Sequence, residues 1–204
     1  MKKIASVAFL GSGSGEPGDS MYDLMYLAGR LCAKRDVTVV TGAYFGSGMA
    51  APARGAKEVK GRTIGFGLLG ITPNPHIESF HDCGDGKPMD ELSNCAEEQF
   101  GRRLARLLMR DAFIIGGDGG VGTVLELAGV VNLNAKIWPK FGQKETKRAA
   151  VLIPADLAFK TTFMAHFRLM ESDSTTKSVV EATIRVVHTA EAAVDWVLGP
   201  APVQ

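Results

Sequence analysis

The chain has 204 residues, 46% of them hydrophobic and 22% charged, which is the composition of an ordinary globular protein with room for one full-sized core. A formal net charge of +1 gives no electrostatic case for DNA, RNA or an acidic membrane surface, and no apolar run is long enough to span a bilayer. Three cysteines, Cys32, Cys83 and Cys95, form no C-x-x-C pair, which favours reduced thiols in the cytoplasm over a disulfide framework or a zinc site.

Met1-Lys2-Lys3 leads into a short apolar stretch that stops at Gly11, too short for a signal peptide and read here as the first core strand, Ile4 to Leu10. A first glycine loop follows, then a helix over Ser20 to Lys34 with apolar positions at Met21, Leu24, Met25, Leu27, Leu31 and Cys32. Val37 to Thr41 is a second strand, Gly42 to Gly48 a second glycine loop, Met49 to Val59 a second helix and Arg62 to Leu69 a third strand. Residues 70–95 are polar and rich in Pro, Gly and Asp, and read as a long irregular loop with at most one short helix. Ala96 to Arg110 returns to helical spacing, Ala112 to Ile115 is a fourth strand and Thr123 to Leu133 the next helix. Residues 136–148 read as a basic irregular insertion, Ala149 to Ile153 as a fifth strand, Thr162 to Glu171 as a helix, Thr183 to Val187 as a sixth strand and Thr189 to Leu198 as a closing helix stopped by Gly199-Pro200. Continuously apolar strands alternating with helices predict a single α/β domain over 1–204, a doubly wound, Rossmann-like parallel sheet with helices on both faces. In such a sheet the glycine loops all lie at strand ends and converge on one cleft.

The third loop carries the strongest chemical signal. Gly116 to Glu126 reads Gly-Gly-Asp-Gly-Gly-Val-Gly-Thr-Val-Leu-Glu, a glycine-dense turn into a helix start with a carboxylate in its first turn. Unpaired N–H groups and the positive end of the dipole suit an anion such as phosphate, and glycines let it approach the backbone. Thr123 adds a hydroxyl, and Glu126 faces whatever the anion is attached to.

Other motifs are weaker. Gly13-x-Gly15-x-x-Gly18 matches the dinucleotide fingerprint in letters, but the second strand ends Val40-Thr41-Gly42 without the acid that motif needs, and Pro17 stands where the helix should start. It reads as a flexible loop whose Ser12 and Ser14 can donate to a ligand. No Walker sequence exists around Lys87, no G-x-S-x-G surrounds a serine, and His76, His81, Asp82 and Cys83 lack regular metal-ligand spacing, so no metal is expected. His166 and His188 are isolated. Arg102, Arg103, Arg106 and Arg110 form a cationic helix side whose beginning, at Arg102, lies at the ligand end of the sheet, within reach of a phosphate or ribose.

Gly119-Gly120-Val121-Gly122-Thr123-Val124-Leu125-Glu126 resembles the P-G-G-x-G-T-x-x-E signature of the Lonely Guy (LOG) family, proteins long mislabelled as lysine decarboxylases. Met49-Ala50-Ala51-Pro52-Ala53-Arg54-Gly55-Ala56 is similar to that family's M-x-A-x-x-x-G-A, and Arg102-Arg103 stands in the place of its Arg-Lys pair before the D-A-F-I strand at Asp111. The resemblance runs from Ile4 to Leu198. It implies a phosphoribohydrolase that cleaves the N-glycosidic bond of a cytokinin riboside 5′-monophosphate or AMP, as a homodimer, with no cofactor and no metal. Arg102 and Glu126 would be the catalytic pair. Gly119, Gly120, Gly122 and Thr123 would hold the 5′-phosphate, with Gly46 and Gly48 from the second loop, and Ser12 and Arg103 would complete the phosphate and ribose contacts. A fixed carboxylate at 126 would steady the cationic sugar and orient a ribose hydroxyl or the attacking water. The chain departs from the signature in lacking its proline: Gly117-Asp118 stands there, and Asp118 would oppose an anion unless it points away. The alternative implied by related folds is a non-catalytic carrier of a nucleotide or of molybdenum cofactor, and a third reading is an interaction module whose glycine loops are only tight turns.

Overall fold

A computed structural model describes residues 4–83, 96–142, 146–155 and 174–200. Seven strands form one parallel sheet: β1 (Ser6–Leu10), β2 (Thr38–Thr41), β3 (Thr63–Gly67), β4 (Ser79–Asp82), β5 (Ala112–Gly116), β6 (Ala149–Leu152) and β7 (Ile184–Val187), in the order β4-β3-β2-β1-β5-β6-β7. Among the described residues six helices of two turns or more flank it: α1 (Ser20–Lys34), α2 (Ala50–Glu58), α3 (Ala96–Leu108), α4 (Val121–Asn132), α5 (Ser174–Thr183) and α6 (Ala190–Leu198). The α/β doubly wound architecture expected from the alternating pattern is the one observed.

The two-residue period of each strand divides its side chains between two cores. Val7 and Phe9 of β1 pack with Ile114, Leu152 and the inner faces of α1, α2 and α6. Ala8 and Leu10 pack the other way, with Phe113, Ile115, Val151 and the apolar faces of α3 and α4. Both faces of the central strands are therefore buried, which is why they read as unbroken apolar runs. The Asp111 carboxylate accepts from the backbone N–H groups of Ala5 and Ser6, at 3.1 and 3.0 Å, and so clips the start of β1 to the start of β5.

Three local expectations are corrected. The stretch 70–95 was expected to be a loop, but it contains β4, which pairs with β3 in parallel through Ile64–Ser79 to Gly67–Asp82. As an edge strand of Ser-Phe-His-Asp, it has no apolar run to announce it. The helix expected to begin at Thr123 begins at Val121, which moves Glu126 out of the first turn. The insertion at 136–148 is not irregular throughout. α4 runs on through a π-helical turn, Leu133–Ile137, into the helical turn Trp138–Lys140. There the buried Asn134 side chain pairs with the Lys147 backbone, donating to its carbonyl and accepting from its N–H, each at 2.9 Å. The expected helix at Thr162 to Glu171, His166, Lys87 and Cys95 lie outside the described residues.

β1 pairs with β2 on one side and β5 on the other, so chain order reverses at β1. In an open parallel sheet the cleft outside the carboxyl ends at such a reversal is where ligands sit. The ends of β1, β2 and β5 are where the three glycine loops begin.

Candidate functional site

A cavity of about 300 Å³ opens at this reversal. Its walls come from the end of β1 and the first loop (Phe9 to Gly13), from Gly42, Tyr44 and Met49 after β2, from Arg103 on α3, and from Gly120, Gly122, Thr123 and Glu126 on α4.

α4 enters the cavity uncapped. Gly120 is its N-cap in extended conformation, and among the described residues no side chain accepts from the first-turn N–H groups. Those donors and the positive end of the helix are therefore free for an anion. A Cβ at Gly120 or Gly122 would meet nothing within 4 Å, so both open onto space. Gly119 plays a different part. A Cβ there would stand 2.1 Å from the Thr123 hydroxyl, so the glycine makes room for that buried side chain.

Glu126 lies one helical turn beyond Gly122, on the same side of α4. It makes no hydrogen bond among the described residues. Burial pushes its carboxyl up from 4.5 to about 7, opposed in part by the Arg103 guanidinium. A carboxyl held near neutrality can give or take a proton at physiological pH. The carboxyl stands past the first turn of α4, beyond the N–H groups whose dipole favours a charged acid.

Among the described residues that line the cavity, Arg103 is the cation. Its Nε donates to the Phe66 carbonyl at the end of β3 (2.9 Å) and its Nη2 to the Gly42 carbonyl after β2 (3.2 Å), and its guanidinium lies 5.2 Å over the Tyr44 ring. Tyr44 is itself fixed, its hydroxyl accepting from the Leu68 N–H at 2.6 Å. Its loop is pinned by buried Asn74, whose Nδ2 donates to the carbonyls of Ala43 and Tyr44. Arg102, which the LOG resemblance would make catalytic, does not line the cavity and is ion-paired with Glu98 one turn back on α3. Arg106 and Arg110 stack over Phe66 outside the cavity, at 5.8 and 5.3 Å.

Gly46 and Gly48 also stand apart from the cavity lining. A Cβ at Gly48 would lie 2.3 Å from the Gly11 carbonyl carbon, and one at Gly46 (φ +90°) would lie 2.3 Å from that of Gly13. These two glycines let the second loop press against the first, where Gly48 N–H donates to the Ser12 carbonyl and Ser47 N–H to that of Ser14. Ser12 does line the cavity, with its hydroxyl 2.7 Å from that of Ser14. Asp118 is turned away from the cavity onto Ser47. The structure thus gathers Ser12, Arg103, Gly120, Gly122, Thr123 and Glu126, and leaves Gly46, Gly48, Gly119 and Arg102 outside. Tyr44 is a wall residue that no motif discloses, and Met49, which opens the M-x-A-x-x-x-G-A match, lines the wall beside it. Among the described residues no group of three or more His, Cys, Asp or Glu could hold a metal ion, and no helix is long and apolar enough to cross a membrane.

A family model described as SLOG cluster4 matches residues 4–139, two thirds of the chain. The chain belongs to the SLOG cluster4 family. SLOG joins SMF/DprA and LOG proteins, so the LOG-like Rossmann character read from the third loop holds for this SLOG cluster4 chain. Among solved structures, the molybdenum cofactor carrier protein of Chlamydomonas reinhardtii is similar, at 17% identity and a TM-score of 0.56, covering 95% of this chain and 94% of its own. The molybdenum cofactor binding protein of Rippkaea orientalis is similar at 16% identity and a TM-score of 0.57, with 96% and 94% covered. DNA processing protein A of Helicobacter pylori, whose structure concerns single-stranded DNA binding, is similar at 16% identity and a TM-score of 0.52, with 95% and 80% covered. At these identities the likeness shows the fold of the SLOG cluster4 chain alone. No curated protein sequence matches it.

Proposed function

We propose that the cavity binds a nucleoside 5′-monophosphate, AMP or a cytokinin riboside monophosphate, and that the chain hydrolyses its N-glycosidic bond to free base and ribose 5-phosphate. The observation that carries this reading is Glu126: a carboxyl set near neutrality, one turn along from the uncapped glycine start of α4. The phosphate is received by the N–H groups and hydroxyl at Gly120, Gly122 and Thr123. One helical turn, about 5.4 Å of rise, then carries the chain toward the sugar. There the ionised Glu126 stabilises the positive charge that builds on the ribose as the bond to the base breaks, and orients the attacking water. Holding the phosphate, remote from the broken bond, fixes the sugar for attack. Incubation with AMP and with isopentenyladenosine monophosphate, followed by chromatography for free base, tests the activity. The homodimer and the cytoplasmic setting implied by the LOG resemblance belong to the same proposal, and sedimentation measures the first.

One observation favours a second reading. Arg102, half of the catalytic pair that the LOG resemblance implies, is engaged with Glu98 outside the cavity. Without that arginine at the sugar, the same pocket suits a carrier that binds a phosphorylated ligand, a nucleotide or molybdenum cofactor, and releases it unchanged. The similar structures described as molybdenum cofactor carrier and binding proteins support this second reading. It requires tight binding with no turnover, and efficient base release counts against it.

A further inference from the structure

We infer that Arg103, and not its neighbour Arg102, supplies the positive charge that acts on the bound ligand beside Glu126. One step along an α-helix turns a side chain by about 100°. That step separates a guanidinium on the cavity wall from one that turns back along α3 to Glu98.

Arg103 is held by neutral groups only. Two backbone carbonyls, Phe66 and Gly42, take its Nε and Nη2, the Tyr44 ring lies beneath it, and the Met49 sulfur is 3.7 Å from Nη2. No carboxylate forms an ion pair with it among the described residues, and Nη1 makes no hydrogen bond to any of them. The side chain is thus oriented without being neutralised, so its charge and a fork of donors remain for a phosphate or ribose. Its influence already reaches across the cavity, where it opposes the rise in the Glu126 carboxyl. Gly42 is part of the same device. A Cβ there would stand 2.0 Å from the Arg103 Nη2, so an alanine would displace the guanidinium while leaving its charge intact. Tyr44 and Gly42 are accordingly positioning residues for Arg103.

The ligand half of this inference rests on the proposed function; the charge half does not. The experiment titrates the Glu126 carboxyl by ¹³C NMR, and measures ribose 5-phosphate binding by calorimetry, in the wild type, R102Q, R103Q and G42A. Thermal melts confirm that each variant is folded. R103Q and G42A should raise the Glu126 midpoint and weaken ribose 5-phosphate about ten-fold or more, the loss expected of one charge-assisted contact. R102Q should change neither. A Glu126 midpoint untouched by R103Q, or an R102Q effect equal to that of R103Q, overturns the inference. Failure of the wild type to bind ribose 5-phosphate sinks the proposed hydrolysis instead, and the Glu126 titration still decides between the two arginines.

Discussion

The Ser47 hydroxyl donates to the Asp118 carboxylate across 2.7 Å and joins the second glycine loop to the third. The negative charge that stands where the LOG signature has proline is thereby directed into the protein rather than at the cavity. Ser47 is itself 1% exposed, and its N–H is held by the first loop, so the three loops form one connected frame. Asp118→Ala and Ser47→Ala should each lower stability by about 1–3 kcal/mol, the cost of a buried hydrogen bond to a charged group. The double variant should cost less than the sum of the singles, because both remove one bond. Chemical denaturation of the four proteins measures the coupling.

Two glycines of the loops should respond oppositely to alanine. At Gly48 a new Cβ meets the backbone of Gly11, which cannot swing aside, so Gly48→Ala should destabilise the fold by about 2 kcal/mol or more. At Gly120 a Cβ meets only open space on the cavity side, so Gly120→Ala should melt near the wild type while weakening phosphate-bearing ligands. Melting curves paired with calorimetric titration of AMP separate a glycine needed for the frame from one needed for the ligand.

Glu126 binds its proton more tightly in the folded chain than in the unfolded one, with a value of about 7 against 4.5. Below pH 4.5 both states are protonated and the group contributes nothing to stability. As pH rises from there toward 7, the unfolded state ionises first and stability falls, reaching a constant penalty above pH 7. Glu126→Gln removes that penalty. The variant should therefore be more stable than the wild type at pH 8, by about 1–3 kcal/mol, and show no advantage near pH 4.5. Urea denaturation at the two pH values gives the comparison.

The same ionisation should shape the rate. If the carboxylate is the working form, kcat/KM for AMP rises as pH climbs through about 7 in the free protein. Removing Arg103 should move that rising limb to higher pH, because the guanidinium favours the ionised carboxyl. A pH–rate profile of the wild type and R103Q checks both statements.

The sequence disclosed what depends on local pattern. β1, β2, β3, β5 and β6 show as largely apolar runs because both their faces are covered, β7 shows through Ile184, Val186 and Val187 although Arg185 is exposed, and α1 shows its 3.6-residue period. β4 escaped because an edge strand of Ser-Phe-His-Asp needs no apolar run, its hydrogen bonds coming from β3. α5 escaped because Ser174 to Thr183 is rich in Ser, Thr and Val, residues that carry little helical signal. At the site, Gly120, Thr123 and Glu126 were legible because turn and helix are adjacent in sequence. Tyr44 was not, since only the convergence of strand ends brings it to α4. The choice between Arg102 and Arg103 hangs on the phase of α3, which a motif match at one-residue resolution does not specify. Gly46 and Gly48 look like ligand glycines in sequence, but their need for glycine comes from the backbone of Gly11 and Gly13, a contact between segments some 35 positions apart.

The central claim is that the Glu126 carboxyl acts on a sugar whose phosphate sits at the start of α4. Release of free adenine from AMP, followed by chromatography for the wild type and Glu126→Gln at equal protein concentration, tests it most directly. The account predicts release by the wild type and a loss of about 10²–10³ in kcat in the variant, with AMP binding retained. Absence of adenine from the wild-type reaction, or equal release by the two proteins, would contradict it.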